Sequence, residues 1–288
     1  MPIRTILVPV TNAESSKSAM EAAFLVAKIF ASHVDAFHVR VDPKDTLPLL
    51  GEGMSGSLVQ EMIEFAEKES NDRSSQARAA FRKFCDSHNI VENNKPRMAD
   101  TMSAAWREEI GREDDHVAVR GRVSDLIVVG RPVADSDVPS PTTLNAALFE
   151  TGRAVLVVPP TMPATIGERV VIFWRGSTEA SRAIAASMTF LHRAQEVKVI
   201  SAGADQPSRA APEGLVDYLA WHGVKAQFER VTVEGAAMGA RLLEVANQSQ
   251  ADLIVMGAYT HSRVRQLVLG GVTARVLAES TVPVLMAH

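Results

Sequence analysis

Ala251-Asp252-Leu253-Ile254-Val255-Met256-Gly257, then Gly270-Gly271-Val272, and past Pro283 the run Val284-Leu285-Met286, is the stretch that decides the fold. Four apolar residues closed by a glycine are too few and too uniform for an amphipathic helix, so they read as a strand buried on both faces, as in a parallel sheet. From Val272 onward, Val272, Val276 and Leu277 recur at helical spacing until Pro283 ends the pattern and a second short strand follows. The unit is strand, loop, helix, strand. In an open parallel sheet a ligand sits beyond the carboxyl ends of the strands, which points to the loop after Met256.

Working outward, the same unit recurs. Ser124-Asp125-Leu126-Ile127-Val128-Val129-Gly130 matches Ala251 to Gly257 at five of seven positions, an offset of 251 − 124 = 127. Ile6 to Val10 corresponds in kind to Val170 to Trp174, an offset of 170 − 6 = 164. Each copy closes on an apolar run, Ala154 to Val158 and Val284 to Ala287. Two copies of one α/β unit therefore fill the chain, with the joint in the proline-rich segment Pro159 to Thr165 and the domains expected at 1–162 and 163–288. Alternation predicts strands near 5–10, 34–40, 102–106, 125–129 and 154–158 in the first copy, and near 169–174, 196–201, 226–232, 252–256 and 283–287 in the second. Helices are predicted near 15–30, 57–88, 112–122 and 142–151, then near 178–192, 209–222, 237–248 and 264–279. The fold class is α/β, as two tandem open parallel five-stranded sheets with helices on both faces.

The 288 residues are 46% hydrophobic and carry a net charge of −4. Without a clustered Lys/Arg stripe, nucleic acid is not an expected partner. No apolar run approaches the roughly 20 residues of a membrane span. The amino-terminus runs straight into a strand with no signal-peptide pattern, so a soluble cytoplasmic protein is expected. Cys85, flanked by Phe81 and Phe84 on a helical pattern, reads as a core thiol. The histidines are scattered without metal-ligand spacing, so no metal is expected. Gly51-Glu52-Gly53-Met54-Ser55-Gly56 has dinucleotide-type spacing but no strand leads directly into it, and it reads as a connection before a long helix. The acids Glu108, Glu109, Glu113, Asp114 and Asp115 read as a solvated loop and a helix amino-terminus.

The segment from Met256 through Gly257, Thr260, His261, Gly270 and Gly271 to the closing Val282-Pro283-Val284 resembles the carboxyl end of a universal stress protein domain, and both copies share its order of elements. The resemblance implies an adenine-nucleotide alpha hydrolase-like fold and an intramolecular pseudo-dimer, a homodimer being the alternative. It also implies ATP or another adenine nucleotide held by G-x2-G-x9-G-[ST]. Gly257 and Gly270 keep that spacing, while Thr260 stands at the second glycine and Gly271 at the hydroxyl, with Val272 and Thr273 beyond it. The acid that follows the first strand in the family corresponds here to Thr11 and Arg175. After Gly130 the first copy lacks the glycines, although Ser140, Thr142 and Thr143 offer a helix cap for an anion. The expectation is a non-enzymatic cytoplasmic stress-response sensor or binding module with its ligand in the second copy, contacted by Gly257, Thr260, His261, Gly270, Gly271, Val272, Thr273 and Arg175. A slow nucleotide hydrolase and a ligand-free interaction scaffold are the rivals, since the same glycines also serve tight packing.

Overall fold

The computed structural model describes residues 2–41, 56–96, 101–132, 140–202, 210–232, 237–258 and 271–288. Most of the glycine pattern at 51–56 lies outside the described residues, as do Thr260, His261 and Gly270. The first half contains β1 (Thr5–Pro9), α1 (Lys17–Phe30), β2 (His33–Arg40), α2 (Gly56–Ser87), β3 (Val91–Glu92), β4 (Ser103–Ile110), α3 (Glu113–Gly121), β5 (Leu126–Gly130), α4 (Pro141–Glu150) and β6 (Ala154–Val158). The second contains β7 (Arg169–Trp174), α5 (Thr178–Leu191), β8 (Glu196–Ala202), α6 (Pro212–Trp221), β9 (Gln227–Val231), α7 (Met238–Gln248), β10 (Leu253–Gly257), α8 (Val272–Glu279) and β11 (Val284–Ala287).

The α/β class with a mostly parallel sheet is as expected, but the expected pair of five-stranded sheets is one sheet. Its 11 strands run β3-β4-β2-β1-β5-β6-β11-β10-β7-β8-β9. All neighbours are parallel except β6 and β11, which pair antiparallel with Val284 on Val157, Leu285 on Leu156 and Met286 on Val155. The two last strands are apolar along their whole length. Left as edges they would expose both unpaired amides and valines, and pairing them covers both. The short β3 is an addition to the strands read from sequence.

Side-chain alternation divides the core into two layers. Val8, Val128, Leu156, Ile172, Val255 and Leu285 face one way, against Phe24 of α1, Phe81 of α2, Ile184 of α5 and Leu219 of α6. Leu7, Ile127, Val155, Val171, Ile254 and Met286 face the other, against Val117 of α3, Leu148 of α4, Leu242 of α7 and Val276 of α8. Each fully buried side chain of this kind contributes about 1.5–3 kcal/mol. Cys85 is indeed core, 5% exposed, and burial pushes its thiol up to about 11.

The aspartate that repeats before the matching strands clasps the start of each half. Asp125 accepts hydrogen bonds from the backbone N–H of Arg4 at 2.8 Å and Thr5 at 2.9 Å, and from the Thr5 hydroxyl at 3.1 Å. Asp252, 4% exposed, accepts from the N–H of Gly167 (3.0 Å), Glu168 (3.1 Å) and Arg169 (2.9 Å) and from Thr165 Oγ1 (2.7 Å). These bonds hold the chain leading into β1 beside β5 and that leading into β7 beside β10. Removing the carboxylate strands several donors, so Asp252→Ala is expected to cost about 3 kcal/mol. Asp125→Ala, with fewer and less buried bonds, is expected to cost less. Urea unfolding of the two variants measures the order, and equal or negligible losses would refute the clasp.

Candidate functional site

The candidate site lies where β7 and β10 end side by side. Val170 to Phe173 pair with Leu253 to Met256, so Trp174 and Gly257 emerge together at the carboxyl edge. Two helices begin there. The α5 helix starts behind Ser177, whose hydroxyl accepts from the Ala180 N–H at 3.3 Å, and α8 starts behind Gly271. Between them is a cleft of about 60 Å³ lined by Trp174, Ile200, Ala202, Met238, Leu242 and Met256 on its apolar side and by Arg175, Ser177, Gly257 and Thr273 on its polar side. Trp174 is held by its indole N–H, which donates to the Ala210 carbonyl at 3.0 Å.

Of the residues expected at the site, Arg175, Gly257, Val272 and Thr273 come together around this cleft. Gly271 caps α8 without a side-chain hydrogen bond, in extended backbone at φ 172°, and a Cβ built there meets nothing within 4 Å. That leaves the first-turn amides of α8, with the positive end of its dipole, as anion donors. Gly257 has a different reason to be glycine. A Cβ built on it would lie 2.5 Å from the Ala180 nitrogen and 2.8 Å from the Glu179 carbonyl carbon, so it allows β10 to press on the first turn of α5. Beside this contact, Glu179 is pulled up by burial but held below its usual range by hydrogen bonds from its own amide, Ser177 and Thr178 and by the charge of His288. Among the described residues, no group of three or more His, Cys, Asp or Glu side chains is placed to hold a metal ion.

The corresponding place in the first half, at the ends of β1 and β5, retains only about 10 Å³. Glu113 is among the residues that line it. One carboxylate oxygen accepts from Thr11 Oγ1 and the other from Thr143 Oγ1, both at 2.8 Å. Thr143 is in the first turn of α4, which Ser140 caps by accepting from the Thr142 N–H at 3.2 Å. The helix amino-terminus expected at Glu113, Asp114 and Asp115 is there, but the expected solvated loop before it is a strand. Glu108 and Glu109 lie on β4, where Glu109 is bound by Arg120 and His116, and Glu113 points inward. Sequence reasoning also missed Trp174, Met238 and Leu242, which carry only ordinary core periodicity. The helix-first position of Glu113 was its one sequence signal, and its partner Thr11 is 102 residues away.

The family model described as the universal stress protein family matches residues 175–288. A universal stress protein of Archaeoglobus fulgidus is similar in structure at TM-score 0.67, with 16% identity, over 98% of this chain and 95% of its own. A putative universal stress protein from Pseudomonas aeruginosa gives TM-score 0.57, with 15% identity, over 98% and 92%. At these identities the likeness is one of fold. A universal stress protein of Synechocystis is 56% identical over 34 residues, a match spanning 12% of that relative's length.

Two substitutions separate packing from ligand space. Gly257→Ala is expected to destabilise by about 1–3 kcal/mol, because the methyl meets backbone rather than a side chain that can turn away. Gly271→Ser is expected to be neutral or slightly stabilising, since serine caps helices at least as well as glycine. Thermal unfolding checks both, and a tolerated Gly257→Ala would refute the close approach.

Proposed function

We propose, from the premise that the chain belongs to the universal stress protein family through residues 175–288, that it is a non-enzymatic binding module whose second-half cleft takes an adenine nucleotide or a related phosphate-bearing ligand. The observation that carries this reading is the pairing of opposites in one cleft. Trp174, Met238 and Leu242 offer an apolar wall for a flat ring, and Arg175 with the α8 amino-terminus offers positive potential for phosphates. Thr260, His261 and Gly270, which lie in sequence between β10 and α8, complete the proposed contact set. In this reading the chain is two domains, 1–162 and 163–288, arranged as an intramolecular pseudo-dimer across β6 and β11 and acting as a cytoplasmic stress-response sensor. Its regulatory output would follow ligand occupancy rather than turnover.

One observation favours a ligand-free scaffold instead: the packing of Gly257 against Ala180 explains that glycine without any ligand. Calorimetry distinguishes the two readings. The full chain is expected to bind ATP more tightly than AMP with one equivalent, and Arg175→Ala is expected to weaken ATP about tenfold, near 1.4 kcal/mol. Absence of binding by ATP, ADP and AMP would replace this reading with the scaffold.

A further inference from the structure

Each cleft is lined by the first residue of the helix that precedes its inner strand, an acid in the first half and a methionine in the second. Glu113 is the first residue of α3 and lines the first cleft, and Met238 is the first residue of α7 and lines the second. We propose that Glu113 is a tethered anionic ligand, occupying in the first half the place that an exogenous phosphate would take. Thr11 lies two residues beyond β1 and Arg175 directly beyond β7, and Thr143 stands in the first turn of α4 as Thr273 stands in that of α8. Both threonine hydroxyls spend their proton on the same carboxylate. That carboxylate sits in the first turn of its own helix and reaches the first turn of another, so two helix dipoles favour its negative charge. With so little volume left, the cleft has no room for a phosphate while Glu113 is in place.

A plug of this kind is removable. With a neutral side chain at 113, the two hydroxyls and the α4 amino-terminus are left without their anion, and a soluble polyphosphate is the chemical class that replaces it. The first cleft is thus a latent anion site, kept closed in cis by a residue of the preceding helix.

Titration calorimetry of the full-length variants Glu113→Met and Glu113→Gln with sodium triphosphate tests this. Each variant is expected to register one equivalent more than the unsubstituted chain, with Glu113→Gln the weaker because its amide still bridges the threonines. The thermal midpoints are expected to stay within about 5 °C of the parent. No added equivalent in either folded variant would overturn the proposal. Loss of cooperative unfolding in both would overturn it as well, because the carboxylate would then be structural rather than a stand-in for a ligand. The count is an increment, so it is independent of whether the second cleft binds. A parent that binds nothing, beside a variant that binds one equivalent, would refute the proposed function and uphold this inference.

Discussion

The antiparallel pairing of β6 with β11 is the constraint on which the rest of the structure depends. Among the described residues every other strand pair is parallel and direction reverses only at this seam, so the carboxyl ends of the strands in the two halves point to opposite edges of the one sheet. Each half therefore opens its cleft away from the other. The seam also brings the end of each closing helix near the other half's strand end. Arg131, next after Gly130, donates to the Ser280 carbonyl at the carboxyl end of α8 at 2.7 Å, where a cation complements the dipole. On the other side Phe149 of α4 meets the ring of His288 edge-on at 4.7 Å, and His288 bonds the Ala258 carbonyl beyond Gly257. Two apolar last strands thus join the halves mechanically without merging their clefts.

Within that frame the halves have the same scaffold and opposite electrostatics. The aspartate clasps at 125 and 252 are shared, and they explain why the matching heptapeptides at 124–130 and 251–257 centre on a strand rather than on a ligand loop. The clefts have diverged. In the first, a carboxylate is bonded by two hydroxyls; in the second, an arginine, a helix amino-terminus and an apolar wall surround open space. Cleft chemistry is set by a few side chains at strand and helix ends, which can change without touching the two buried layers.

How much of this was legible follows from the range of each interaction. Strand runs such as Leu253 to Met256, the helical spacing of Val272, Val276 and Leu277, and the burial of Cys85 are local patterns, and they read correctly. The internal repeat was legible as self-similarity, and with it the α/β class. The single sheet was not, because a strand's sequence records that it is buried and not which strand covers its edge. Glu113 was placed correctly in a first helical turn, but its partners were not legible: an acid there is favourable in water, and nothing local discloses a partner more than a hundred residues earlier. Gly257 read as a ligand glycine, and the structure adds a packing reason of equal force at Ala180. Arg175, Val272 and Thr273, named from the family resemblance, line one cleft.

In the function proposed above, the second-half cleft is open to an anion and the first is closed by Glu113. A crystal structure of the unsubstituted chain grown with ATP measures it most directly. The expected result is phosphate density against the amides of Gly271 to Thr273 with the base toward Trp174, and Glu113 still bonded to Thr11 and Thr143. Nucleotide density in the first cleft with Glu113 displaced, or none in the second at saturating ATP, would contradict the account.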